Sequence, residues 1–250
     1  MLAIIGGSGL DQLANLKITG RIAANTPYGE PSSALTYGNI AGERVVFLAR
    51  HGDAHTIPPH LINYRANLWA LVHGARAERI VAVASVGGIR KDFGPGAVVV
   101  PHQIIDYTHS RQATYIDTNN CEVLHVDFTH PYDRELRKAL LRAGNHAGTS
   151  IFDGAVYAST QGPRLETAAE IDRLERDGAD IVGMTGMPEA VLARELGVPY
   201  AAVCVVANGA AGRAESRDGI VLADTEALLL QGMERVRKLL ETICREGSSK

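Results

Sequence analysis

Leu2-Ala3-Ile4-Ile5-Gly6-Gly7-Ser8-Gly9-Leu10-Asp11 stands at the start of the chain. Four apolar residues run without a polar alternate and then give way to glycine. That pattern fits a strand buried on both faces of a sheet, as in α/β proteins. Similar short apolar runs recur at Arg44–Ala49, Arg79–Val86, Ala97–Pro101, Ile151–Ser159, Ala179–Gly183 and Tyr200–Ala207. Between them lie helical patterns over Asn63–Gly74, Pro131–Ala147, Leu165–Asp177, Pro188–Leu196 and Leu222–Arg245. In the last, Leu229, Met233, Val236, Leu240 and Ile243 recur at spacings of four and three, a stripe that predicts packing against the sheet. The alternation predicts an α/β fold, one domain over residues 1–250 with a mostly parallel or mixed central sheet, and a frayed tail at Glu246–Lys250.

Composition excludes several classes. With 46% hydrophobic and 21% charged residues in 250, the chain has enough apolar mass for a full core and is not mainly disordered. Its 26 glycines sit at strand ends rather than at every third position, which excludes collagen. A net charge of −3 gives no basic excess for a nucleic-acid backbone. The longest apolar stretches fall well short of a membrane span. Cys121, Cys204 and Cys244 are far apart and odd in number, so no disulfide framework or structural zinc site is expected. The first residues lack a basic region and a long apolar core, so they read as a strand and not a secretion signal. A cytoplasmic protein is expected.

In α/β folds, ligands sit at the carboxyl ends of the strands. Gly6-Gly7-Ser8-Gly9 offers backbone N–H groups and the Ser8 hydroxyl to a small anion, or is a plain glycine turn. Gln12 stands where a dinucleotide fingerprint needs a third glycine, and no Walker lysine follows. Arg50-His51-Gly52 ends the second predicted strand; it supplies a planar donor fork and an imidazole for phosphate, or is a surface pair. In Gly183-Met184-Thr185-Gly186-Met187-Pro188-Glu189, Pro188 suits a first helical turn and Glu189 the helix dipole. Thr185 either caps that helix or binds an anion before it. Asn208-Gly209 ends an apolar strand as a turn or as a buried amide that must find partners. Glu166 is a helix-start carboxylate or a ligand acceptor. No metal-ligand spacing is present, and no metal or cofactor is expected.

Taken in order, Gly6–Leu10, Arg50-His51-Gly52, Asn63–Leu71, Gln161–Thr167 and Gly183–Glu189 resemble the trimeric purine nucleoside phosphorylase and methylthioadenosine phosphorylase family. The likeness runs from about residue 2 to about residue 245 and is strongest to the bacterial methylthioinosine branch. It implies a single-domain fold around a mixed, barrel-like sheet and a homotrimer. It also implies a reaction in which phosphate, as co-substrate, cleaves a purine nucleoside to base and sugar 1-phosphate in purine salvage. By that resemblance Ser8, Arg50, His51, Ala84, Ser85 and Thr185 would hold phosphate, with His51, Asn208 and Glu166 catalytic. Met184 would lie under the ribose, and Asn208, Gly209, Ala210 and Glu166 would meet the purine. Val221, beside Ile220, would face an apolar 5′ group, or both are core residues. His125 would reach the 5′ end from a neighbouring subunit. Adenine-type relatives carry aspartates matching Asn208 and Ala210 and a small residue matching Glu166. The residues here therefore imply a 6-oxopurine, whose N1–H a glutamate can accept.

Overall fold

The computed structural model describes residues 1–7, 15–117 and 123–247. Its strands are β1 (Leu2–Gly6), β2 (Lys17–Ile22), β3 (Leu35–Ile40), β4 (Glu43–Ala49), β5 (Arg79–Gly88), β6 (Val98–Val100), β7 (Gln103–Asp106), β8 (Phe152–Asp153), β9 (Val156–Ser159), β10 (Ile181–Gly183) and β11 (Tyr200–Gly209). The helices are α1 (Tyr64–Trp69, widening into a π turn over Ala70–Gly74), α2 (Arg134–His146), α3 (Ala168–Arg176), α4 (Gly186–Glu195) and α5 (Leu222–Gly247).

β1 lies parallel between β4 and β5, which makes it interior to the sheet. Its side chains alternate between two cores. Ala3 and Ile5 join Leu68, Leu71 and Leu192 from α1 and α4; Leu2 and Ile4 join Leu140, Met233 and Leu240 from α2 and α5. This is why the opening run carries no polar alternate. Met233, Val236, Leu240 and Ile243 are all buried, and each contributes about 1.5–3 kcal/mol by leaving water.

β5 is long enough to belong to two arms. Along its length it pairs parallel with β11, and at its end it pairs antiparallel with β10. β11 continues to β6, β6 to β8, β7 to β9 and β9 to β10. Since β6 runs on into β7 and β8 into β9, these ladders close a ring through β5, β11, β6/β7, β8/β9 and β10. β1, β4, β3 and β2 extend it as an open wing. The mixed, barrel-like sheet expected from the sequence is present.

Three expectations are corrected. Ile151–Ser159 is two strands, because Gly154 at φ +93 breaks the run between β8 and β9. β2, β3 and β7 were not predicted; in the exposed β2, Ile18 and Ile22 face outward and leave no buried face to read. α5 runs to Gly247, and Glu246, expected in a frayed tail, accepts a hydrogen bond from His146 Nδ1 at 2.6 Å; residues 248–250 lie outside the described residues. Other boundaries follow from caps. Asn63 accepts from Ala66 N at the start of α1, Asp133 from Leu136 N at α2, and Thr167 and Glu170 form a reciprocal capping box on α3. Among the described residues no helix is long and apolar enough to cross a membrane.

Candidate active site

β1, β4, β5 and β11 run parallel, so their carboxyl ends open on one side. A cavity of about 240 Å³ lies there. Gly7, Arg50, His51, Ala84, Ser85, Glu166, Met184, Thr185, Asn208 and Ala210 all line it. Residues dispersed over more than two hundred positions thus meet on one wall. Ser8 lies outside the described residues.

Arg50 is 1% exposed and its guanidinium is held rather than free. Nε donates to Glu189 Oε1 at 2.5 Å, Nη2 to Glu189 Oε2 at 3.0 Å, and Nη1 to the Val83 carbonyl at 2.9 Å. Among the described residues these bonds use three of its five N–H groups, and one remains on each terminal nitrogen to face a ligand. Glu189 is completely buried and also accepts from Tyr200 OH at 2.9 Å. It stands in the first turn of α4, as expected, and its carboxylate has the further role of pairing with Arg50. Burial alone would lower the Arg50 pKa; the paired carboxylate outweighs it and holds the group above its ordinary value. Gly7 makes room for this arrangement. A Cβ there would meet Arg50 Nη1 at 2.6 Å and the Val83 carbonyl oxygen at 2.9 Å.

His51 lies beside this cation. Its Nδ1 is 2.8 Å from the Ile57 carbonyl, which can only accept, so Nδ1 carries the proton and neutral His51 presents Nε2 as an acceptor. Burial and then the Arg50 charge push its pKa down to about 4, against the pull of the Ile57 carbonyl. Thr185 does not cap α4. Met187 is extended at φ −117, ψ 138, and the regular helix begins at Pro188. Thr185 is 8% exposed on the cavity wall.

The other end of the cavity is built differently. The Thr160 hydroxyl donates to Glu166 Oε1 at 2.6 Å, which fixes that carboxylate's orientation and leaves Oε2 for another donor. Asn208 follows a break in the β11–β5 register between Val206 and Asn208, the kind of irregularity that re-aims a side chain. Its Nδ2 donates to the Gly209 carbonyl at 2.6 Å. Because a carbonyl only accepts, this contact sets which way the amide faces and leaves the second N–H available. Met184, Pro163, Leu165 and Ile220 supply apolar surface.

Three expected residues are off the wall. Gly209 gives its N–H to Glu215 and its carbonyl to Asn208, so it acts beside the cavity. Val221 is 58% exposed, and its neighbour Ile220 lines the cavity instead, since the chain turns outward as α5 starts. His125 is exposed and away from this cavity in its own chain.

Residues 1–245 match the phosphorylase superfamily. The chain belongs to that superfamily. It is 52% identical to a probable S-methyl-5′-thioinosine phosphorylase of Pseudomonas syringae pv. tomato, over 96% of this chain and 97% of that one. It is 44% identical to the 6-oxopurine nucleoside phosphorylase of Pyrococcus furiosus, over 96% and 90% of the two chains. Among solved structures, the methylthioadenosine phosphorylase of Schistosoma mansoni in complex with adenine superposes with a TM-score of 0.91 at 29% identity, covering 100% of this chain and 92% of that one. The fold is that of the nucleoside phosphorylases, and the chain is an enzyme of the pentosyltransferase kind.

In this phosphorylase the sequence reading missed Glu189 as a buried partner, Thr160, and Arg111. Arg111 donates to the carbonyls of Thr160, Gln161, Met184 and Met187. No periodicity or glycine signal marks it; only the folded loops bring those carbonyls together. Cys204 and Cys244 are free and buried, and Cys121 lies outside the described residues. Among the described residues no group of three or more His, Cys, Asp or Glu could hold a metal.

Proposed function

We propose that the protein catalyses phosphorolysis of a 6-oxopurine nucleoside, with S-methyl-5′-thioinosine as preferred substrate. The N9–C1′ bond breaks with its electron pair going to the purine, an oxygen of hydrogen phosphate bonds to C1′, and the proton that the phosphate carried ends on the purine, so the products are hypoxanthine and 5-methylthio-α-D-ribose 1-phosphate. The observation that carries this reading is the polarity of the cavity. Anion-binding groups (Arg50, His51, Thr185) and base-recognising groups (Glu166, Asn208) share one wall system, and the position of Ala210 has no polar atom.

As the glycosidic bond lengthens, the sugar becomes cationic and the purine gains electron density. Phosphate held by Arg50, His51, Ser8, Thr185 and the Ala84-Ser85 backbone both stabilises the sugar and attacks it, so positioning and electrostatics do most of the catalysis. Neutral His51, presenting Nε2 as an acceptor, suits a phosphate that still carries a hydroxyl. The uncommitted N–H of Asn208 donates to N7 or O6 and strengthens as charge arrives there, an interaction of about 3–4 kcal/mol in comparable sites. Glu166 Oε2 accepts N1–H. Adenine presents a bare acceptor at N1 and would face that carboxylate unpaired. Met184 floors the ribose, and Ile220 offers apolar surface to a methylthio group. No metal or other cofactor enters the scheme.

The reading includes a homotrimer in which His125 serves a neighbouring site, a cytoplasmic location and a place in purine salvage. It is tested with inosine, adenosine and their 5′-methylthio counterparts. Base release that requires phosphate and is fastest with methylthioinosine supports it. Equal rates with a 5′-hydroxyl would make it a general inosine phosphorylase, and binding without phosphate-dependent release would make it a nucleoside-binding protein.

A further inference from the structure

Arg111 is bound in an unusual way. It lies on the irregular segment after β7, partly buried. Nη1 donates to the Met184 carbonyl at 2.7 Å, the Met187 carbonyl at 2.6 Å and the Tyr64 hydroxyl at 3.2 Å. Nη2 donates to the carbonyls of Gln161 at 2.8 Å and Thr160 at 3.2 Å, and Nε to Gln161 Oε1 at 3.2 Å. Every nitrogen of the fork is engaged, and among the described residues none of its hydrogen-bond acceptors is a carboxylate. An arginine serving only as surface charge would pair with an acid or with water. This one gathers the outward-turned carbonyls of two separate loops.

Those loops are the ones that carry the nucleoside end of the cavity. One holds Thr160, whose hydroxyl fixes Glu166, and the other holds Met184. They also touch directly, since Gly162 at φ +64 packs against the Met184 side chain with no room for a Cβ. Met184 and Thr160 have their backbones on one guanidinium, so a shift of either loop moves Met184 against Glu166. The segment bearing Arg111 is itself anchored beyond it: the Thr114 hydroxyl and Tyr115 N–H donate to the Glu195 carboxylate, and Tyr115 OH donates to the Arg65 carbonyl.

We propose that Arg111 is a positioning residue which locks the base-recognising loop and the loop that carries Met184 and Thr185 into one register, and so sets nucleoside affinity and turnover. This rests on the phosphorylase reading for its kinetic consequences, though not for its structural ones. Arg50 and His51 follow directly on β4, and the Glu189 carboxylate pairs with Arg50, so that part of the phosphate end is held without Arg111, whereas Thr185 lies between two of the carbonyls that Arg111 gathers. Lysine cannot substitute, because an ammonium has three donors from one point and cannot span carbonyls on both loops.

The test compares wild type with Arg111→Lys and Arg111→Ala. Hydrogen exchange should show amides of residues 160–167 and 184–187 opening in Arg111→Lys while β1, β5 and β11 stay protected. Displacement by about 1 Å can cost on the order of 100-fold in rate, so kcat/KM for methylthioinosine should fall about that far, while the KM for phosphate, which Arg50 and His51 also hold, should rise by much less. Guanidinium ion at non-denaturing concentration should restore part of the Arg111→Ala rate. Unchanged nucleoside kinetics, or exchange that rises evenly across the sheet, would overturn the proposal. A wild type that releases no base with phosphate would instead sink the phosphorylase reading, and the exchange pattern would still decide the role of Arg111.

Discussion

Glu189→Gln tests the electrostatic support of the phosphate end. The substitution keeps the shape of the side chain and removes its charge. Glu189 is completely buried and accepts from Arg50 Nε, Arg50 Nη2 and Tyr200 OH. A glutamine has one oxygen, so one of these donors meets an NH₂ group instead, and the Arg50 cation is left in the interior without its counter-ion. Breaking a buried pair from one side costs about 3–5 kcal/mol. Set against a typical total of about 5–15 kcal/mol, that is a large fraction. In a chain of 250 residues it corresponds to a midpoint lowered by roughly 6–20 °C. Urea unfolding at neutral pH should show a lower midpoint at unchanged slope. Replacing the whole group by apolar side chains, with Arg50→Met, Glu189→Leu and Tyr200→Phe together, should recover most of that stability and leave phosphate use lost. A loss below about 1 kcal/mol in Glu189→Gln would refute the reasoning, since the pair would then be solvated rather than buried.

Further outcomes follow from particular contacts. His51 has its pKa lowered from 6.5 to about 4 in the folded protein, so the unfolded chain binds the extra proton between those values; stability should fall as pH drops from 6.5 towards 4, and His51→Asn should flatten that part of the unfolding free-energy profile. Gly7→Ala would drive a Cβ into Arg50 Nη1 and the Val83 carbonyl; a stability loss of about 1–3 kcal/mol with a raised KM for phosphate is expected, and a normal KM would count against the role of Gly7. Glu166→Ser should lower kcat/KM for methylthioinosine by about 10- to 150-fold, the value of a hydrogen bond to a charged group, with little change for methylthioadenosine. Parallel losses for both nucleosides would show that Glu166 does not read N1.

Much of the architecture could be read directly because the physics was local. The unbroken apolar run of β1 marks a strand buried on both faces, and the α5 stripe marks a core-facing helix. The position of the candidate site at the strand ends was legible for the same reason, since glycine, Arg50, His51 and Asn208 terminate apolar runs and line one cavity. What escaped depends on residues far apart in the chain. Glu189 reads as a helix-start carboxylate until Arg50, 139 positions earlier, is folded against it. Arg111 lies in a segment without periodicity and is defined by carbonyls that only the tertiary fold collects. β2 shows its apolar residues to the outside, so alternation gave no sign of it. Gly154 breaks a run that composition alone makes continuous.

The central claim is that Glu166 and Asn208, with Ala210 in place of an acid, select a 6-oxopurine. The most direct measurement is kcat/KM of the wild-type enzyme for S-methyl-5′-thioinosine and S-methyl-5′-thioadenosine in the same phosphate buffer. Matched hydrogen bonds of this kind can discriminate by roughly 10⁴–10⁵, and the orientation imposed on Asn208 by the Gly209 carbonyl keeps its amide from turning to suit adenine. A large preference for methylthioinosine is the predicted result; an equal or higher value for methylthioadenosine would contradict it.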